Sequence, residues 1–134
     1  MKDETHVKEW LEYAKRDYDS ALHLFENMTP PPLKIICFDC QQAAEKHLKA
    51  LLTAFGIKFG ESHDLSRLIK LRAKRSSVPA KVLAACADLN AYGPESIYPG
   101  GGKSSLAKTK KALKSLNIIM AWTSKELKNL CQVA

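Results

Sequence analysis

No part of this 134-residue sequence approaches the ~20 consecutive apolar residues needed to span a bilayer. A reading built on membrane-spanning helices is therefore excluded. Residues Met1 to Glu12 are acidic and polar, not basic and then apolar, so no secretion signal is expected and the cytoplasm is the expected location. Alternating apolar and polar runs of convincing length are missing, as are internal repeats and low-complexity tracts. The cysteines Cys37, Cys40, Cys86 and Cys131 are too few and too scattered for a disulfide framework. The Cys37-x-x-Cys40 spacing lies inside a helical pattern on its apolar stripe, so both thiols read as small buried hydrophobes. Neither His47 nor His63 has cysteines or carboxylates at metal-ligand spacing, and neither a metal nor a cofactor is expected.

What the sequence does contain is helical periodicity. In the stretch Leu33 to Phe55, Leu33, Cys37, Cys40, Ala44, Leu48, Leu51 and Phe55 fall on one stripe. Gln42, Glu45, Lys46 and Lys49 fall opposite, on a face expected to be outward, with Gln41 and His47 at the apolar edge. Glu45 and Lys49, four residues apart, would form an ordinary surface ion pair, and His47 would be half-buried and hydrogen-bonded. Pro30 to Pro32 mark the start of this helix, and Gly56 marks its end.

The rest follows the same rule. Val7, Leu11, Ala14, Tyr18, Ala21, Phe25 and Met28 form the seam of a helix from about His6 to Asn27, capped by Thr5, and its partner in an antiparallel hairpin is the Leu33–Phe55 helix. Ser62 or Asp64 caps a third helix reaching about Arg75, with Leu65, Leu68, Ile69 and Arg72 inward. A short fourth helix follows Pro79, with Val82, Leu83, Cys86, Leu89 and Asn90 on one face, and Gly93-Pro94 ends it. A long fifth runs from Ser104 or Ser105 to about Leu130, with Leu106, Leu113, Met120 and Leu127 recurring every seven residues and Thr109, Leu116, Thr123 and Leu130 in the intervening seam positions, and should pack across the first two helices. The expected fold is a single all-α domain over residues 1–134, an up-and-down helical bundle of about five helices that forms a homodimer.

Charge is divided along the chain. Through Asp64 there are eight Lys and Arg against eleven Asp and Glu; from Leu65 onward there are thirteen against three, and the net charge is +7. An acidic partner such as nucleic acid, an acidic protein surface, or complementarity within an oligomer fits this asymmetry.

The run Gln41-Gln42-Ala43-Ala44-Glu45-Lys46-His47-Leu48 resembles the second helix of the HEPN family of small all-helical prokaryotic proteins, and Ser62-His63-Asp64-Leu65 resembles the "tHdL" that follows it there. Trp10-Leu11, Ala14, Asp17 and Ala21 match the family's first helix, and Tyr98-Pro99 its "RYP" turn. The resemblance implies a nucleotide- or RNA-associated binding module. It also implies a small nucleotidyltransferase as partner in a toxin–antitoxin-like system, and a ligand or partner face of Gln41, Gln42, Glu45, Lys46, Lys49, His63, Asp64 and Tyr98. Metal-independent ribonuclease activity and a pure protein scaffold are the alternatives.

Many HEPN ribonucleases carry an Arg-x4-6-His motif late in the domain, around the scissile phosphate. Here Ile97 stands for the arginine, and no histidine occurs from Tyr98 through Lys114. The one literal match, Arg16 to His23, lies on the first helix, which leaves Arg16, His23 and His63 as weak catalytic candidates. Gly101, Gly102, Lys103 and Ser104 end like a phosphate-binding loop. The motif's first glycine is missing at Ile97, and no strand precedes the run, so incidental anion binding is the expectation.

Overall fold

In the computed structural model, which describes residues 1–133, five α-helices follow one another as α1 Glu4–Asn27, α2 Leu33–Phe55, α3 Leu65–Ala73, α4 Ala80–Leu89 and α5 Leu106–Val133. Two short 3-10 turns, Asn90–Tyr92 and Pro94–Ile97, join α4 to the loop before α5. Among the described residues there is no strand and no helix long and apolar enough to cross a membrane. The helix ends carry the expected chemistry with local shifts. Asp3, in a left-handed conformation, caps α1 through a 3.4 Å bond from His6 N, in place of Thr5. Gly56 ends α2 at φ 72°, a region that a side chain makes costly. Ser105 accepts from Lys108 N at 3.1 Å, so α5 begins one residue later.

α2 is the axle of the bundle. Most of its residues are buried, on every side, because α1, α3, α4 and α5 all pack against it. The five-helix all-α architecture is as expected, with one correction: α5 packs on α2 and α4, not across the first two helices. Thr109, Leu116, Thr123 and Leu127 of the expected seam are buried, joined by Ala112 and Ile119, while Leu106, the first residue of that seam, is exposed. A helix wedged between two neighbours buries a wider arc than a heptad seam, and small or hydroxylated residues let it approach closely. Leu83 and Met28, also expected inward, lie exposed.

Candidate functional site

The polar face of α2 is covered, which corrects the expectation of an outward surface. Gln41, Glu45 and Lys49 are buried, and Gln42 and Lys46 are half-buried. Glu45 and Lys49 are therefore a buried ion pair, with Nζ 3.0 Å from Oε2. Lys49 Nζ also sits over the rings of Trp10 at 5.4 Å and Phe59 at 5.6 Å. Two aromatic faces and a carboxylate thus replace the water that the ammonium gave up. Lys46 pairs with Asp17 of α1. Beside it, Asp39 takes a 3.0 Å bond from the Ser20 hydroxyl, and burial raises its carboxyl above the usual range.

The loop before α3 closes this cluster. Gln41 Nε2 donates to His63 O at 3.0 Å, Gln42 Nε2 donates to Gln41 Oε1 at 2.7 Å, and His63 Nδ1 lies 2.8 Å from the other oxygen of Glu45. The His63 side chain itself stays open, at 57% exposure, against 4% for Glu45. A buried carboxylate orienting an exposed imidazole is a geometry that chemistry can use. The groove that the imidazole borders, however, is formed by Asp64, Asn90, Gly93, Pro94 and Glu95, and its acids oppose a phosphate. Asp64 is occupied as the α3 cap, accepting from Ser66 N at 2.9 Å and Asn90 Nδ2 at 3.0 Å. Tyr98 does not line this groove and is 63% exposed. His47 is buried, and its Nδ1 has no partner among the described residues, contrary to the expected hydrogen bond.

A second site forms where the starts of α2 and α5 meet the 3-10 turns. A cavity of about 460 Å³ is bounded by Lys34, Asp88, Tyr92, Ser96, the run Gly101 to Ser104, and Lys108. The glycines hold its wall for separate reasons. Gly102 adopts φ 81°, whereas a Cβ on Gly101 would come within 2.5 Å of the Ser96 carbonyl oxygen. The one acid, Asp88, is already engaged by the Ser115 hydroxyl at 2.7 Å and by Lys111 at 3.7 Å. Burial, with Cys37 and Asp88 nearby, raises the Tyr92 phenol, which stays a neutral donor. Ser96 Oγ is buried without a partner among the described residues. Gly101, Gly102, Lys103 and Ser104 thus share one cavity wall, joined by Lys34 and Lys108 from two helices.

The model of the HEPN domain matches residues 7–127. The chain belongs to the HEPN domain family. Two crystal structures share the HEPN fold: ST0689, an archaeal HEPN homologue, at 24% identity and a TM-score of 0.71, covering 90% of this chain and 96% of that one; and TT1696 from Thermus thermophilus, at 25% identity and 0.75, covering 90% and 97%. A search of curated proteins found no match.

Within this HEPN fold Arg16 and His23 lie exposed on α1, away from both cavities. Arg16 stacks on Tyr13 at 4.9 Å, and His23 Nδ1 meets Asn27 at 3.3 Å, so their partners are local. Cys37, Cys40 and Cys86 are buried free thiols, and burial pushes Cys86 up to about 12. No group of three or more metal-ligating side chains occurs among the described residues. Sequence reasoning missed Lys34, Tyr92, Ser96 and Lys108 in the cavity wall, whose signal is spatial: they come from four different elements.

Proposed function

We propose that this chain is a nucleotide- or RNA-associated HEPN binding module, acting as one domain in the cytoplasm, rather than a nuclease. The observation that supports it is the separation of charge from acid–base chemistry. The phosphate-suited cavity has three lysines and several hydroxyls but no histidine, while the oriented imidazole of His63 faces acids. The polar residues Gln41, Glu45 and Lys49 act from behind, fixing the His63 loop; Gln42, Lys46, Asp64 and Tyr98 are the more accessible members of that face. Resemblance to the family supports the remainder of the reading: a homodimer that pairs with a minimal nucleotidyltransferase in a toxin–antitoxin-like system.

Purified protein incubated with RNA and a chelator should retain the RNA intact, with retention falling steeply as salt rises. Cleavage lost in His63→Ala would overturn the reading in favour of a ribonuclease. The His63–Glu45 pair is the observation that favours this second possibility. Co-elution with the nucleotidyltransferase encoded beside it, and a mass near twice 14.9 kDa by light scattering, test the partner and the homodimer.

A further inference from the structure

The cavity is not isolated. A second groove, between α4 and α5, is lined by Lys81, Lys114 and Lys125 around Ile118 and Trp122, with no acid in its wall. α4 and α5 run antiparallel, since Asp88 at one end of α4 meets Lys111 and Ser115, while Pro79 and Lys81 at the other share the groove with Trp122 and Lys125. Lys108, Lys111, Lys114 and Lys125 therefore mark one side of α5 over roughly 26 Å, at ~1.5 Å per residue. Lys111, whose side chain is 70% exposed, lies between Lys108 and Lys114 on α5, 3.7 Å from Asp88. That length is on the scale of the ~4 nucleotides that short single-strand sites hold.

The two ends of this track differ. Along α5 the lysines come singly, as suits internal phosphodiesters of one charge each. In the cavity Lys34, Lys103 and Lys108 meet beside the Tyr92 hydroxyl and Ser104, whose own hydroxyl lies 3.4 Å from Thr109 Oγ1, against a wall closed by Gly101 on the 3-10 turn. A terminal phosphate monoester carries close to two negative charges and three free oxygens at pH 7, and needs only one way out. We infer that the cavity holds the terminal phosphate of a single RNA strand, whose chain then follows the lysines of α5 into the groove beside Trp122. This rests on the RNA-binding reading above and names the part of RNA that the module selects. An acidic peptide fits less well, because each of its carboxylates carries a single charge, whereas three lysines meet at one cavity.

The test uses the intact protein and labelled RNA of about twelve nucleotides, longer than the track. Anisotropy would compare strands with a 5′-phosphate, a 3′-phosphate or hydroxyls at both ends. One phosphorylated strand should bind about tenfold more tightly than the hydroxyl strand, the gain of a charge-assisted contact. Replacing Lys103 and Lys108 together by Ala should erase that preference, while Lys114→Ala with Lys125→Ala should weaken all three strands alike. All four side chains are exposed, so the variants should fold, and their circular dichroism should match the wild type. Equal affinity for the three strands would overturn the inference and leave RNA binding standing. A phosphate preference that survives the cavity variant, or displacement by polyglutamate as effective as by RNA, would also overturn it. Binding of none of the strands would remove this inference and the RNA reading together.

Discussion

His47 is a base held where water is scarce. Burial lowers it from 6.5 to about 4, and its Nδ1 has no partner among the described residues. The sign follows from proton counting: below pH 6.5 the unfolded chain binds a proton that the folded chain refuses. Stability is therefore complete above that value and is lost as pH falls toward 4. The loss amounts to about 3 kcal/mol. Asp39, whose carboxyl is raised by burial, opposes this only at the acid end, where its own stabilising share is lost as pH rises through its folded value. Urea unfolding of the wild type and His47→Leu at pH 4.5 and 7 isolates the histidine. The variant should lose much less stability on acidification, and parallel losses would refute the assignment. Glu45 sets a second expectation. In Glu45→Gln the buried Lys49 ammonium keeps its hydrogen bond and its rings but loses its counter-charge, which should cost about 3 kcal/mol. Glu45→Leu combined with Lys49→Met should return to within about 1 kcal/mol of the wild type in the same urea titration, since neither charge is then stranded.

At the scale of elements, α2 explains why the helices were legible in the sequence and the site was not. Periodicity places Cys37, Cys40, Ala44, Leu48 and Leu51 inward, and all are buried. The opposite face misled, because polarity reads as exposure only when each charge must find water. Glu45 and Lys49 find one another, four residues apart, and the His63 loop and Trp10 then seal them. No local pattern carries that information, since His63 is 18 residues from Glu45 in sequence. Gly101 to Ser104 were visible as a glycine run before a helix, but the lysine that α2 adds, Lys34, was not. The loop's glycines also make an ordered prediction. Gly101→Ala drives a Cβ into the Ser96 carbonyl and should cost about 2 kcal/mol. Gly100→Ala meets open space and only the strain of φ 89°, about 1 kcal/mol. Melting temperatures should rank the two variants in that order.

For the whole molecule, charge divided along the chain becomes charge divided in space. Acidic α1, with Glu4, Glu9, Glu12, Asp19 and Glu26 exposed, packs on α2, while lysine-rich α5 packs on α2 and α4. The two charged helices flank the axle without packing on each other, so the field is one-sided, and a polyanion is steered to the α4–α5 side. Lysines of α1 therefore serve as internal controls. Lys8 and Lys15 are exposed but sit beside Glu4 and Asp19, at 3.7 and 2.7 Å. Replacing both by Ala should leave RNA affinity within about twofold, because each removes a charge already neutralised locally. Replacing Lys114 and Lys125 by Ala removes two charges that have no ion-pair partner among the described residues and should flatten the plot of log affinity against log salt by about 1.4, at ~0.7 per phosphate contact on a single strand. Retention measured across salt concentrations decides between a track on one side and diffuse attraction to a basic protein. Diffuse attraction would respond only to total charge, and the two double variants, each removing two positive charges, would then shift the slope equally.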